Sequence, residues 1–211
     1  GGAVQSNLRY GDGEIWSDII PTGKADMVLS VEPLEAMRYR QFLCPGGWVV
    51  TSTTPFVNIP NYPETESLLD DLAGIDHIVM VDTAHFARVA GNRRAQNMVT
   101  VGAASPMLDF EEDRMLIFVE KLFARKGEKI VTVNQRAFRY GRAAGLFFRA
   151  AAEAGMQKVF ALRLLNKFDP ETIDAAHAHA WANAINNDEE KLETVLAHEG
   201  HLPCSPVPVF A

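Results

Sequence analysis

From its first residues the chain alternates small or apolar side chains with polar ones. Ala3 to Arg9 keep a period of two, Gly11-Asp12-Gly13 has turn chemistry, and Glu14 to Ser17 resume the period, which predicts an N-terminal β-hairpin. Beyond Pro21 and Gly23, the run ADMVLSVE predicts a short strand that ends at Glu32-Pro33. Proline suits the first position of a helix, here expected over Leu34 to Leu43 and stopped by Cys44-Pro45-Gly46-Gly47. WVVTSTT then has the β-branched composition of a buried strand, and Pro55 to Pro63 reads as a loop. Glu64 to Ala73 predicts a surface helix, HIVMVD a third buried run, and Thr83 to Ala90 another helix before Gly91-Asn92. Buried runs alternating with helices predict an α/β fold: a Rossmann-like, mostly parallel sheet with flanking helices.

Gln96 to Gly155 has mainly helical periodicity, broken at Pro106 and near Gly127, and these helices are expected to cover the sheet. Met156 to Phe168 is apolar and equally compatible with helix or strand. Asp169-Pro170-Glu171 offers an N-cap and a first-turn proline for an alanine-rich helix running to about Asn186, and Asp188 to Leu196 predicts a last short helix. HLPCSPVPVF is punctuated by proline and is expected to be an extended tail that docks on another surface. The division expected is an α/β domain over residues 1–155 and a helical extension over 156–211.

The chain has 211 residues, 47% of them hydrophobic and 22% charged, which is a globular composition. Twenty basic side chains against 27 acidic ones leave a net charge of −7, so nucleic acid and anionic lipid are not expected partners. Two cysteines, Cys44 and Cys204, are too few for a disulfide framework or for the four thiolates of an iron-sulfur cluster. No membrane span and no leader are visible, and a cytoplasmic location is expected.

The histidines His177, His179, His198 and His201, with Glu199 and Cys204, are the first candidates for metal chemistry. HEGH is not HExxH, however, and surface or capping roles are the commoner fate of such residues. Neither GxGxxG nor GxxxxGK[ST] occurs. The helix start after Ser30-Val31-Glu32 is a place where an open α/β sheet can meet a ligand, although Glu32 and Glu35 would repel phosphate there. Thr51-Ser52-Thr53-Thr54 falls where the second strand ends, so these hydroxyls either bind ligand oxygens or stabilise the strand end and its loop. Arg93-Arg94 and Arg136, Arg139 and Arg142 place positive charge on an acidic chain, suited to a phosphate, an acidic patch or plain solvent.

Several segments, in order, carry a family resemblance. Gly1-Gly2 with Val4 and Ser6, Ile20-Pro21 with Gly23, and Ala25-Asp26 followed by Glu32-Pro33-Leu34-Glu35-Ala36 resemble the RGG-x-V-x-S, I-P-x-G and A-D-x(5)-E-P-L-E-A segments of the gamma unit of 2-oxoacid:acceptor oxidoreductases. The form most resembled is the beta subunit of the indolepyruvate:ferredoxin enzymes. Asn97-Met98 with Gly102-Ala103, and Asn134 with Ala137 and Gly141, extend the resemblance to about residue 145. The family pattern starts with a strand and a G-x-G-G-x-G turn that do not occur here, so a preceding N-terminal piece is expected.

The resemblance implies a subunit that works inside a complex. A 2-oxoacid is decarboxylated on thiamine diphosphate, electrons leave through 4Fe-4S clusters to ferredoxin, and coenzyme A takes the acyl group. Thiamine and clusters belong to partner subunits, and this chain itself is expected to hold no cofactor firmly and to be inactive alone. Coenzyme A or the oxoacid is placed near Gly1, Gly2, Ser6, Glu32, Thr51, Ser52, Thr53 and Thr54. The alternative is a scaffold module of the same complex that binds no ligand; a homodimer is left open.

Overall fold

The computed structural model describes residues 4–57 and 59–205. Three strands, β1 (Ala25–Ser30), β2 (Leu43–Ser52) and β3 (Ile78–Val81), form one sheet in the order β1-β2-β3, parallel throughout. The β-branched runs form strands because they can be buried: all four residues of β3 are at most 2% exposed, and Val49 and Val50 are equally enclosed. Register pairs Ser30 with Thr51 and Ser52 with Val81, so the three strands end side by side.

The crossovers are helical. Helix α1 (Pro33–Tyr39) starts on Pro33 with Glu32 as N-cap and packs on β1 and β2; α2 (Thr65–Ala73) leads to β3; α3 (Thr83–Val89) leaves β3 with Asp82 as N-cap. Helix α4 (Gln96–Ala104) lies across all three strands, α5 (Glu112–Phe123) follows, and α6 (Glu128–Glu153) runs 26 residues against α4 and β3. The α4–α6 contact is made of backbone. A Cβ on Gly102 would lie 2.0 Å from the carbonyl oxygen of Phe138, one on Gly141 2.0 Å from that of Val99, and one on Gly145 2.5 Å from that of Ala103.

The chain ends with α7 (Lys158–Leu165), α8 (Ala178–Ile185) and α9 (Glu189–Leu196). Their apolar side chains join the core that fills the α/β layer: Phe168 sits between Phe147 and Trp181, with ring centroids 5.3 Å away on each side. The Lys158 ammonium donates to the carbonyls of Ala73, Ile75 and Asp76 at the end of α2, tying α7 to the sheet layer.

Four expectations are corrected. No hairpin forms: residues 4–22 contain no strand, and Val4, Leu8 and Trp16 are 92%, 79% and 85% exposed. The alternation is present but finds no apolar face to cover, and a lone hairpin is not stable without one. The Arg9 guanidinium, donating to the Ser17 carbonyl at 2.8 Å, closes the segment on itself, and Ser17 Oγ accepts from Ile19 N at 3.1 Å. Second, Cys44 to Gly47 do not stop a helix. α1 ends at Tyr39, a 3-10 turn spans Arg40–Phe42, and the Pro-Gly-Gly stretch lies inside β2 as an irregularity between the pairs Ala25–Leu43 and Met27–Trp48. Gly46 takes φ +81°, a conformation that the irregularity needs and glycine supplies.

Third, Asp169 caps a turn, accepting from Glu171 N, and the helix begins instead through Asp174, which caps the 3-10 turn Ala175–His177 ahead of α8. Fourth, the tail as far as Ser205 docks on the chain itself. Leu202 bridges Phe168, and Trp181 donates its indole N–H to the Cys204 carbonyl at 2.6 Å. The remainder of the tail, from residue 206, lies outside the described residues. No described helix is long and apolar enough to cross a membrane.

Candidate functional site

The carboxyl ends of the strands bring together most of the residues singled out in the sequence. After β1, Glu32 folds back to cap α1: its Oε2 accepts from Glu35 N at 2.7 Å. Its Oε1 is met from the loop after β2 by the Tyr62 hydroxyl and by the backbone N–H of Phe56 at 3.5 Å. Burial, and then the hydrogen bond to Glu32, push the Tyr62 phenol well above its ordinary range, so the phenol stays protonated and donating. Ser30 supports this corner, its Oγ donating to the Glu32 carbonyl at 2.7 Å.

After β2, the hydroxyls point toward β3. Ser52 Oγ and Thr83 Oγ1 are 2.7 Å apart, Thr83 donates to Gln96 Oε1 at 3.3 Å, and Thr54 donates to Asp82 Oδ1 at 3.1 Å. Asp82 also accepts from His85 N and so caps α3. Thr51 is buried and donates to the Ser52 carbonyl; Thr53 is buried and its backbone N–H donates to Val81 O. The run thus divides: Thr51 and Thr53 hold the sheet, while Ser52 and Thr54 tie the second crossover turn to the third.

Ser6 lies apart from these hydroxyls, in a cleft of about 140 Å³ beside β1 that Ser30, Glu35 and Tyr39 also line. One Glu35 oxygen, Oε2, is buried without a partner among the described residues, the other being paired with Arg38 at 2.6 Å. Gly1 and Gly2 fall outside the described residues.

Next to Asp82, on the first turn of α3, stands His85, which sequence reading passed over. It is 8% exposed, the Arg88 guanidinium donates to its Nδ1 at 3.0 Å, and its Nε2 is buried without a partner among the described residues. The ring of His201, from the C-terminal loop, lies 5.2 Å from it. Burial is the main cause that lowers the His85 pKa, ahead of the opposing pull of Asp82, and Arg88 and His201 push it the same way. Of the histidines proposed for metal chemistry, His201 alone enters this cluster. Among the described residues no three metal-ligating side chains converge.

Tyr62 and His85 carried little signal in the sequence, one lying in a proline-rich loop and the other a single histidine in an apolar turn. Asp82 had more, since an aspartate that ends a buried run and precedes threonine has the form of a cap at a strand's carboxyl end.

A parallel sheet with polar residues massed at its carboxyl edge is the form in which α/β proteins present ligand or partner surfaces. The chain belongs to the pyruvate ferredoxin/flavodoxin oxidoreductase family, which matches residues 1–144.

Among curated relatives it is similar to the indolepyruvate oxidoreductase subunit IorB of Thermococcus kodakarensis, 31% identical over 152 residues that cover 66% of this chain and 72% of that protein. The subunit of the same name from Methanothermobacter thermautotrophicus is 33% identical over 165 residues, covering 73% and 78%. That from Pyrococcus horikoshii is 31% identical over 150 residues, covering 66% and 72%. No solved structure matches the chain. The family match reaches the end of the segments on which the resemblance was read, and the glycines of those segments, Gly102 and Gly141, sit at the α4–α6 contact rather than at the carboxyl edge.

Proposed function

We propose that this chain is a subunit of an indolepyruvate-type 2-oxoacid:ferredoxin oxidoreductase, assisting oxidative decarboxylation of a 2-oxoacid to an acyl-coenzyme A, with thiamine diphosphate and iron-sulfur clusters on its partner subunits. The observation that carries the reading is the likeness to the IorB subunits across the α/β layer. The chemistry of the edge is compatible with it. Glu32, Ser52, Thr54, Asp82 and Thr83 are each hydrogen-bonded to another group of the chain, an arrangement that ties three turns into one polar edge, with Ser52 and Thr83 enclosed and Glu32, Thr54 and Asp82 partly exposed. The two cysteines are far from a shared site, Cys44 half-buried in β2 and Cys204 enclosed near α8.

Glu32 and Thr54 form, in this reading, the surface set toward the partner's reaction centre, with Ser52 enclosed behind them and Ser6 in the separate cleft beside β1. They do not suit the phosphates of coenzyme A, because Glu32 and Asp82 put two carboxylates at the same edge. That mismatch favours a second reading, a scaffold module that contributes shape and contact and binds no ligand of its own. Co-expression with the thiamine- and cluster-bearing subunit tests the function. A stable complex that reduces viologen dye with indolepyruvate and coenzyme A, and little activity from either chain alone, is expected. Failure to associate, or full activity of the partner without this chain, overturns the proposal. Calorimetry of the complex with coenzyme A then separates the readings, since the scaffold version predicts that Glu32→Gln and Ser52→Ala leave its affinity unchanged.

A further inference from the structure

The chain is acidic overall, but its bases are not evenly spread. Residues 84–107 hold Arg88, Arg93 and Arg94 and no acidic side chain, and residues 124–142 hold six bases against Glu128 alone. All but one of the 27 acidic residues therefore lie outside these two segments. The fold places the segments against each other: α3 and α4 both pack on α6, and a Cβ on Gly91 would touch the side chain of Val133 at 3.5 Å. Between them runs a groove with Ala90 and Gly91 on one wall and Glu128, Lys129, Thr132, Val133 and Arg136 on the other, two bases against one carboxylate.

Ion pairing leaves most bases of these two segments free, Arg142 with Glu112 being the exception among the described residues. The pairs among described residues use Arg38, Arg142, Arg149 and Arg163, whereas Arg93, Arg94, Lys129, Arg136 and Arg139, all exposed, are in none. Unpaired cations gathered on one face of an acidic molecule raise the potential there and steer an anionic surface onto it.

We propose that this face, made by the end of α3, the turn over residues 91–95 and the first half of α6, docks an acidic surface of a partner protein. A protein fits better than nucleic acid on two grounds. The groove is lined by no aromatic side chain on which a base could stack. The acidic remainder of the chain also repels the continuous phosphate track of a duplex beyond this patch, whereas the acidic stretch of a protein can end where the patch ends. The inference stands on charge placement and does not depend on the function proposed above.

The test uses the full chain and a fluorescein-labelled peptide of about 20 residues rich in glutamate and aspartate, titrated by fluorescence anisotropy at about 50 and about 200 mM salt, concentrations across which screening grows. Saturable binding that weakens with salt is expected. Lys129→Glu with Arg136→Glu is expected to weaken it at least about tenfold, as loss of facing charge pairs does. Lys24→Glu with Lys191→Glu, which changes net charge equally elsewhere, is expected to weaken it less than about threefold. Circular dichroism confirms that both variants fold. Equal loss in the two variants, no saturable binding at the lower salt, or tighter binding of a DNA duplex of similar length overturns the proposal.

Discussion

Burial lowers the pKa of His85, and the groups facing it set the consequence. Arg88 donates to Nδ1, His201 lies across the ring and Asp82 caps the same turn, so a proton added to His85 would join a guanidinium and a second imidazole, with one carboxylate in opposition. In the unfolded chain the ring titrates near its ordinary value of about 6.5. Because the folded value is lower, the unfolded state binds more protons in the window below that pH, and stability rises with pH across it. The urea midpoint of the native chain is therefore expected to fall as pH is lowered from about 7.5 to about 5.5, and to fall less in His85→Gln. An identical pH profile in the variant would remove His85 from this account. The same locality explains what could be read from the sequence here. The hydroxyl run Thr51 to Thr54 is contiguous, so its place at a strand end was visible. Its partners Asp82 and Thr83 lie about thirty residues on, and only strand pairing brings them together.

Helices α4 and α6 cross on glycine, and this element pair shows where pattern reading succeeds and stops. The glycines at 102 and 141 were visible as family signatures, but their purpose was not, because close approach of two backbones leaves no periodic trace in either helix alone. Gly141→Ala would place a methyl about 2.0 Å from the Val99 carbonyl oxygen, where backbone rather than a flexible side chain must yield. Overpacking of this kind costs on the order of 1–3 kcal/mol, and more where neither helix can move. A loss of about 3 kcal/mol in urea denaturation is expected, with Gly11→Ala, which meets open space, close to neutral. The strands were legible for a plain reason: each holds a short apolar run bounded by turn residues, and in β3 and the end of β2 every residue is buried. The hairpin was misread because a period of two also arises in a segment with nothing to cover, and the helix start moved from Asp169 to Asp174 because both offer a capping carboxylate and packing chose between them.

At the scale of the molecule, the C-terminal helices share one core with the α/β layer. Lys158 fastens α7 to the end of α2, and the loop carrying His201 reaches α3 beside the carboxyl edge. The three tryptophans fall in three different parts of this architecture. Trp16 is 85% exposed in the segment before β1, Trp48 stacks on His77 with centroids 5.0 Å apart in the sheet, and Trp181 is 1% exposed and bound to the Cys204 carbonyl. Light emission can consequently be resolved by region. Acrylamide is expected to quench the red-edge emission of Trp16 first and leave a blue-shifted remainder from which Trp181→Phe removes the bluest part and leaves that of Trp48. With that assignment made, the blue component becomes an optical gauge of whether the C-terminal arm stays seated when a partner arrives.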